Sequence, residues 1–217
     1  MQPPLPVILC FGDSLTAGFQ SPTPSNPMGQ ETPYGDWLQE LLGTRGTVRV
    51  SGICGEVTGE MVLRFSRDVI ERKPVVVAIL GGTNDLGLNA QPAEIMRNLS
   101  TMYARAGSAG VVPIPITVPS IRVDPSGASP EAKAWIEDHL ARRRQLNRLI
   151  LEYATTRKLP FLDLFEATAD ATTQMLTARY SNDGLHLSTE GYRVFGSLLY
   201  ERVFAPRLDE LVPRSRT

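Results

Sequence analysis

Cysteine and histidine are scarce in this chain of 217 residues, with two of each. Two cysteines cannot build a disulfide framework, and together with two histidines at these spacings they make no zinc site. Cys10 and Cys54 fall near the ends of the first two predicted strands, so a pairing is sterically conceivable. Two buried thiols beside the site is the simpler reading, because free cysteine is commonly buried. Neither has a basic neighbour in sequence that would make it a nucleophile. Long apolar runs are missing as well: Val75 to Leu80 is far short of the ~20 residues that a membrane span needs. A formal net charge of −1 leaves no electrostatic footprint for nucleic acid or an anionic membrane. Lysine is nearly absent, yet arginine makes up the basic complement, so this is a compositional habit rather than a lack of positive charge. Neither the Gly-x-x-x-x-Gly-Lys phosphate loop nor the Gly-x-Gly-x-x-Gly dinucleotide fingerprint occurs.

What remains is a chain of ordinary hydrophobicity, at 42% apolar residues, long enough for one well-buried domain. Short β-branched runs bounded by breakers predict strands at 6–11, 47–53, 74–80, 110–116 and 159–163. They are nearly continuous in apolar character, as parallel strands covered on both faces are. Helical stretches are predicted between them at Tyr34–Leu42, Thr58–Glu71, Ala93–Ala106, Pro130–Thr156 and Thr189–Phe204. The alternation implies a three-layer α/β/α sandwich around a parallel sheet, with residues 1–210 as one domain and no repeat or linker. Gln20 to Thr32 is read as a long loop inside it. Leu211 to Thr217 is read as a tail whose Leu-Val-Pro-Arg resembles part of a protease-cleavage tag. The first strand begins too close to Met1 for a signal peptide, so a cytoplasmic location is the default expectation, with a mature secreted form as the alternative.

In the helix from Pro130, the residues Trp135, Ile136, Leu140, Leu146, Leu149, Ile150 and Tyr153 form a core-facing stripe. Glu137-Asp138 and Arg142-Arg143-Arg144 are read as its solvated face, and His139 as a surface residue.

Three polar clusters follow strand-like runs or precede the last helix, and these carry the chemistry. Gly12-Asp13-Ser14-Leu15 places a serine where a buried strand ends. Gly81-Gly82-Thr83-Asn84-Asp85 follows the third strand. Asp183-Gly184-Leu185-His186 offers an acid and an imidazole three residues apart, ahead of a helix that Ser188 can cap. Ligands of such sheets bind beyond the carboxyl ends of the strands, where Ser14, Gly55 and Asn84 all belong. A serine hydroxyl needs a base to act as a nucleophile. His186 is the candidate, with Asp183 to fix its tautomer and stabilise the imidazolium. Developing charge on a carbonyl oxygen needs preorganised donors, which the Ser14 N–H, the Asn84 amide and the Gly55 N–H can supply. Gly52 or Gly59 can be argued in place of Gly55. Asp85 is read as structural, bonding loop amides beneath the site.

These residues resemble the four sequence blocks of the GDSL, or SGNH-hydrolase, family of esterases and lipases. Gly12-Asp13-Ser14-Leu15 corresponds to the first block, the glycine of Cys54-Gly55-Glu56 to the second, Gly82-Thr83-Asn84-Asp85 to the third, and Asp183-Gly184-Leu185-His186 to the last. The resemblance implies a flavodoxin-like five-stranded sheet of order 2-1-3-4-5. It also implies Ser14 as nucleophile, His186 as base, Asp183 as orienting acid, and Ser14, Gly55 and Asn84 as the oxyanion hole of an acyl-enzyme mechanism. No Gly-x-Ser-x-Gly occurs, which argues against an α/β-hydrolase. Expected substrates are small esters: short- to medium-chain acyl or acetyl esters, with a carbohydrate acetylesterase, a lysophospholipase or a thioesterase as alternatives. No metal or cofactor is required. From another class, the rival is a non-catalytic flavodoxin-like binding module. Met28, Tyr34 and Ile121 are expected as apolar pocket walls, from the loops Phe19 to Tyr34 and Pro119 to Ser129.

Overall fold

The computed structural model describes residues 5–212. Among them, six strands follow in chain order: β1 (Val7–Gly12), β2 (Phe19–Gln20), β3 (Gln30–Glu31), β4 (Thr47–Gly52), β5 (Val76–Leu80) and β6 (Val112–Pro115). Four of these form a parallel sheet in the order β4-β1-β5-β6. The main helices are α1 (Ser14–Ala17), α2 (Tyr34–Leu42), α3 (Thr58–Phe65), α4 (Thr83–Gly87), α5 (Pro92–Ser108), α6 (Pro130–Thr156), α7 (Leu164–Thr168) and α8 (Thr189–Leu199). Helices α2 and α8 pack on one another, while α3, α5 and α6 pack in series.

Every residue of β5 is fully buried, as are Ile8 to Phe11 of β1 apart from a trace at Leu9. Burying each large apolar side chain contributes about 1.5–3 kcal/mol, so the two central strands anchor the core. Their apolar continuity comes from having helices on both faces.

The predicted fifth strand at 159–163 is reduced to a single parallel bridge between Ile116 and Leu162, so the sheet has four strands rather than five. Two local features explain this. Pro160 has no N–H for a ladder, and Asp163 turns the chain by capping α7, accepting from the Glu166 N–H at 3.0 Å. Thr117 donates to the same carboxylate at 2.8 Å, which fixes the turn against the end of β6. The bridge still lies beside β6, at the edge where the order 2-1-3-4-5 puts it.

Other differences are smaller. The stretch read as a loop from Gln20 to Thr32 carries the antiparallel β2–β3 ribbon. The predicted helices Thr58–Glu71 and Thr189–Phe204 both widen to π turns in their last five helical residues, Ser66–Ile70 and Tyr200–Phe204. At the C-terminus, Leu211 and Val212 are buried against the core instead of starting a tail. The rest of that predicted tail, 213–217, lies outside the described residues.

Register is what builds a site. Gly12 lies opposite Gly52 on one side and Leu80 on the other. The three strands therefore end level, and the segments leaving them, which contain Ser14, Gly55 and Asn84, start side by side on one edge of the sheet.

Candidate active site

Ser14 is the first residue of α1, almost fully buried, directly after the central strand. Asp13 caps this short helix, its Oδ1 accepting from the Leu15 N–H at 2.9 Å. The other oxygen, Oδ2, is buried without a partner. Burial pushes the Asp13 carboxyl up to about 7, against the pull of the Leu15 N–H, and the charge of Asp85 adds to the rise.

Gly55 has a φ of +80° in open space, so glycine is required there by backbone conformation and not by crowding. Glu56, the next residue, is held by a buried ion pair with Arg64 of α3, at 2.6 Å. The same guanidinium donates to the Gly12 carbonyl at 2.9 Å and lies 4.1 Å over the Phe11 ring. Arg64 thus ties the loop after β4 to the end of β1.

Asn84 donates one amide N–H to the Glu56 carbonyl at 2.8 Å. An amide nitrogen carries two donors, so the second is left for a ligand. Asp85 does what its position suggests. Its Oδ1 accepts the Thr58 hydroxyl at 2.6 Å and its Oδ2 the Thr58 N–H at 3.0 Å, at the start of α3.

The acid–imidazole pair is formed. His186 Nδ1 meets Asp183 Oδ2 at 2.7 Å, while Asp183 Oδ1 accepts the N–H groups of Leu185 and His186, each at 2.8 Å. Partial burial pushes the Asp183 carboxyl up, but the donors from His186, Ser21, Leu185 and the His186 backbone outweigh it. They hold it well below the usual carboxylate range. Gly184 makes the turn possible: its φ is +84°, and a Cβ would fall 2.1 Å from the Arg122 carbonyl oxygen. Ser188 caps α8 through the Gly191 N–H, at 3.2 Å. Phe19, one residue past the Gly18 turn that ends Ser14's helix, sets its ring edge-on to His186 with centroids 4.7 Å apart. No hydrogen bond joins Ser14 Oγ to His186 among the described residues. Hydrogen bonds of this kind often tighten only once a ligand is bound.

A cavity of about 450 Å³ adjoins these groups, lined by Gly55, Asn84 and Asp183 and walled by Ile121, Val123, Trp135 and Leu185. Of the three expected wall residues, only Ile121 is there. Met28 is 92% exposed. Tyr34 is fully buried between α2 and α8, stacked on Phe195 at 3.8 Å, because its position opens the core face of α2 and not the end of the loop.

His139 and Arg143 also line the cavity, and both are buried, so the solvated-face reading of that part of α6 is wrong. Arg142 is buried too; Arg144 is exposed. The signal was present. Ile136, His139, Leu140, Arg143, Leu146, Asn147 and Ile150 recur at helical spacing, and all are buried. Arg143 Nη1 donates to the Pro119 carbonyl at 2.5 Å, and Nη2 lies 3.2 Å from His139 Nε2. Burial, followed by the charges of Arg143 and Arg142, pushes His139 down to about 4, so its ring is neutral at pH 7. Cys54 is exposed rather than buried, and both cysteines are free thiols.

The chain has known relatives. A family model described as "GDSL-like Lipase/Acylhydrolase family" matches residues 10–194. The lipase/acylhydrolase from Enterococcus faecalis is 28% identical and superposes with a TM-score of 0.70 over 90% of this chain and 93% of that one. A carbohydrate acetylesterase from Sinorhizobium meliloti, 20% identical, shares the fold with a TM-score of 0.67 over 88% of this chain and 94% of its own. An uncharacterized lipoprotein of Bacillus subtilis, YqeF, is 29% identical over 119 residues; the match spans 51% of this chain and 47% of that relative's length.

Proposed function

The chain belongs to the GDSL-like lipase/acylhydrolase family, and from that premise we propose that it hydrolyses carboxylic esters through a Ser14–His186–Asp183 triad. Ser14 Oγ attacks the ester carbonyl as His186 Nε2 takes its proton. Asp183 holds the Nδ1–H tautomer and stabilises the imidazolium. Charge on the carbonyl oxygen is met by the N–H groups of Ser14 and Gly55 and by the free N–H of Asn84. As the acyl-enzyme forms, the C–O bond breaks and His186 returns the proton to the leaving alcohol. Water, deprotonated by His186, then attacks the acyl carbon, and collapse of the second intermediate returns the proton to Ser14.

The observation that carries this reading is the 2.7 Å Asp183–His186 bond, on a loop packed against the segment that leaves Ser14. A non-catalytic binding module would have no use for it. The substrates are short- to medium-chain acyl or acetyl esters, which the 450 Å³ cavity and its apolar wall suit.

A fluorophosphonate probe tests the nucleophile. Mass spectrometry should find the adduct on Ser14, and Ser14→Ala should abolish labelling while leaving the protein folded. An adduct on another serine overturns the assignment, and no adduct at all favours the binding module. Rates on p-nitrophenyl acetate, longer acyl esters and acetylated xylan then separate a general esterase from a carbohydrate acetylesterase.

A further inference from the structure

The segment that carries Ser21 is tied to the acid–imidazole loop. Phe19, Gln20 and Ser21 each engage the acid–imidazole loop or the helix behind it. Phe19 packs edge-on against the His186 ring, and its carbonyl accepts the Tyr192 hydroxyl at 2.8 Å. Gln20 is buried and forms a two-way clamp on the first residue of α8: its Nε2 donates to Thr189 Oγ1 at 2.9 Å, and its Oε1 accepts the Thr189 N–H at 3.1 Å. The same Nε2 reaches Thr32 Oγ1 at 2.7 Å, where the ribbon returns. Ser21 Oγ, held by that clamp, donates to Asp183 Oδ2 at 2.5 Å.

We propose that Ser21 is a positioning residue of the catalytic machinery, acting through Asp183 on His186. This rests on the triad reading above. Asp183 Oδ2 receives two side-chain donors, Ser21 Oγ–H and His186 Nδ1–H, while Oδ1 is occupied by the backbone N–H groups of Leu185 and His186. The carboxylate therefore has a single orientation, with no free oxygen toward which it can rotate. The Ser21 hydroxyl also takes up part of the charge on the oxygen that faces the imidazole. That weakens the hold of Asp183 on the imidazolium. Among the described residues, Asp13, from the turn after β1, and Tyr192 of α8 also act on the pair, and Arg122 and Arg143 line the same cavity as Asp183. None of the four hydrogen-bonds to Asp183 Oδ2. Ser21 comes from a different part of the chain, 162 residues away, so a segment outside the acid–imidazole loop helps to orient that loop's carboxylate.

Ser21→Ala is the test, with Ser21→Thr as rescue and Ser25→Ala as a control in the same loop. Three readouts are taken: kcat and KM on p-nitrophenyl acetate, the pH profile of kcat/KM, and the downfield proton resonance of His186 Nδ1–H without substrate. Losing a hydrogen bond to a charged group should lower kcat about 10-fold in Ser21→Ala with KM nearly unchanged. The acid limb of kcat/KM should move up by about half a pH unit, since Asp183 then holds the imidazolium more tightly. The resonance should shift or broaden, Ser21→Thr should restore all three, and Ser25→Ala should behave as wild type. An unchanged rate and profile overturns the proposal. So does a lower kcat with acid limb and resonance unmoved, which would make Ser21 merely part of the loop, and so does a threonine that restores nothing. The resonance needs no turnover. If it responds as expected while the wild-type protein hydrolyses no ester, the triad reading fails and the positioning role stands.

Discussion

His186 and His139 are the two imidazoles of the chain, and each has a charged partner close by. Their surroundings are opposite. His186 sits on a loop, partly exposed, with Nδ1 against a carboxylate that is itself saturated with donors. His139 sits inside α6 with Nε2 against a buried guanidinium. Burial, with the charge of Arg143, leaves the His139 ring neutral, whereas His186 faces a carboxylate. Residue type and closeness to a charge are shared; burial and the sign of that charge differ, and on the proposed mechanism only the ring beside the carboxylate is the base.

The sharpest way to break this comparison is to remove each ring. His186→Ala should lower kcat by roughly 10³ or more, as triad deletions do. His139→Ala should keep kcat within several-fold of wild type but lose about 1–3 kcal/mol of stability, because Arg143 forfeits a buried acceptor. Steady-state kinetics and denaturant titration on both variants check this. Comparable kcat losses would put both rings in the chemistry.

Asn84 should come next in size. Asn84→Ala should cost about 10²–10³ in kcat with little change in KM. Asn84→Asp should be no better, since it adds negative charge where charge develops. A large rise in KM at constant kcat would instead make Asn84 a ground-state contact.

The smallest effect is in stability against pH, and it opposes His139 to Asp13. An unfolded histidine titrates near 6.5, and His139 in the fold near 4. The unfolded chain therefore binds the extra proton between those values, and stability from this group falls as pH drops from 6.5 toward 4. Asp13 has the reverse sign. Its folded value near 7 lies above the unfolded value near 4, so the native state holds the proton and stability falls as pH rises from 4 to 7. The two slopes offset each other in the wild type. Asp13→Asn should make Tm climb more steeply from pH 4 to 7, and His139→Phe should make it climb less or fall. Parallel Tm curves for the three proteins would refute both assignments.

Much of the site was legible because its residues lie next to breaks in strand pattern. Ser14, Gly55 and Asn84 follow apolar runs whose ends are set level by parallel register. The bounds of α2 and α6 coincide with their predicted ranges, since prolines at 33 and 130 and the caps near them are local signals. The fifth strand was over-read because apolar content at 159–163 outweighed Pro160 and the capping role of Asp163. His139 and Arg143 were misread for a different reason: polar identity was allowed to override a helical period that put them on the buried face. Ser21 carried no local signal. Its partner is distant in sequence, and only the folded β2–β3 ribbon brings the two together.

The unequal cysteines offer a ready probe of the segment after β4. Burial pushes the Cys10 thiol up to about 12 and seals it in the core, so alkylating reagents do not reach it. Cys54 is exposed, one residue before Gly55. An environment-sensitive fluorophore on a maleimide therefore attaches next to Gly55 in the native sequence, without engineering. Its emission during single turnover would time the loop after β4 as the acyl group arrives and leaves.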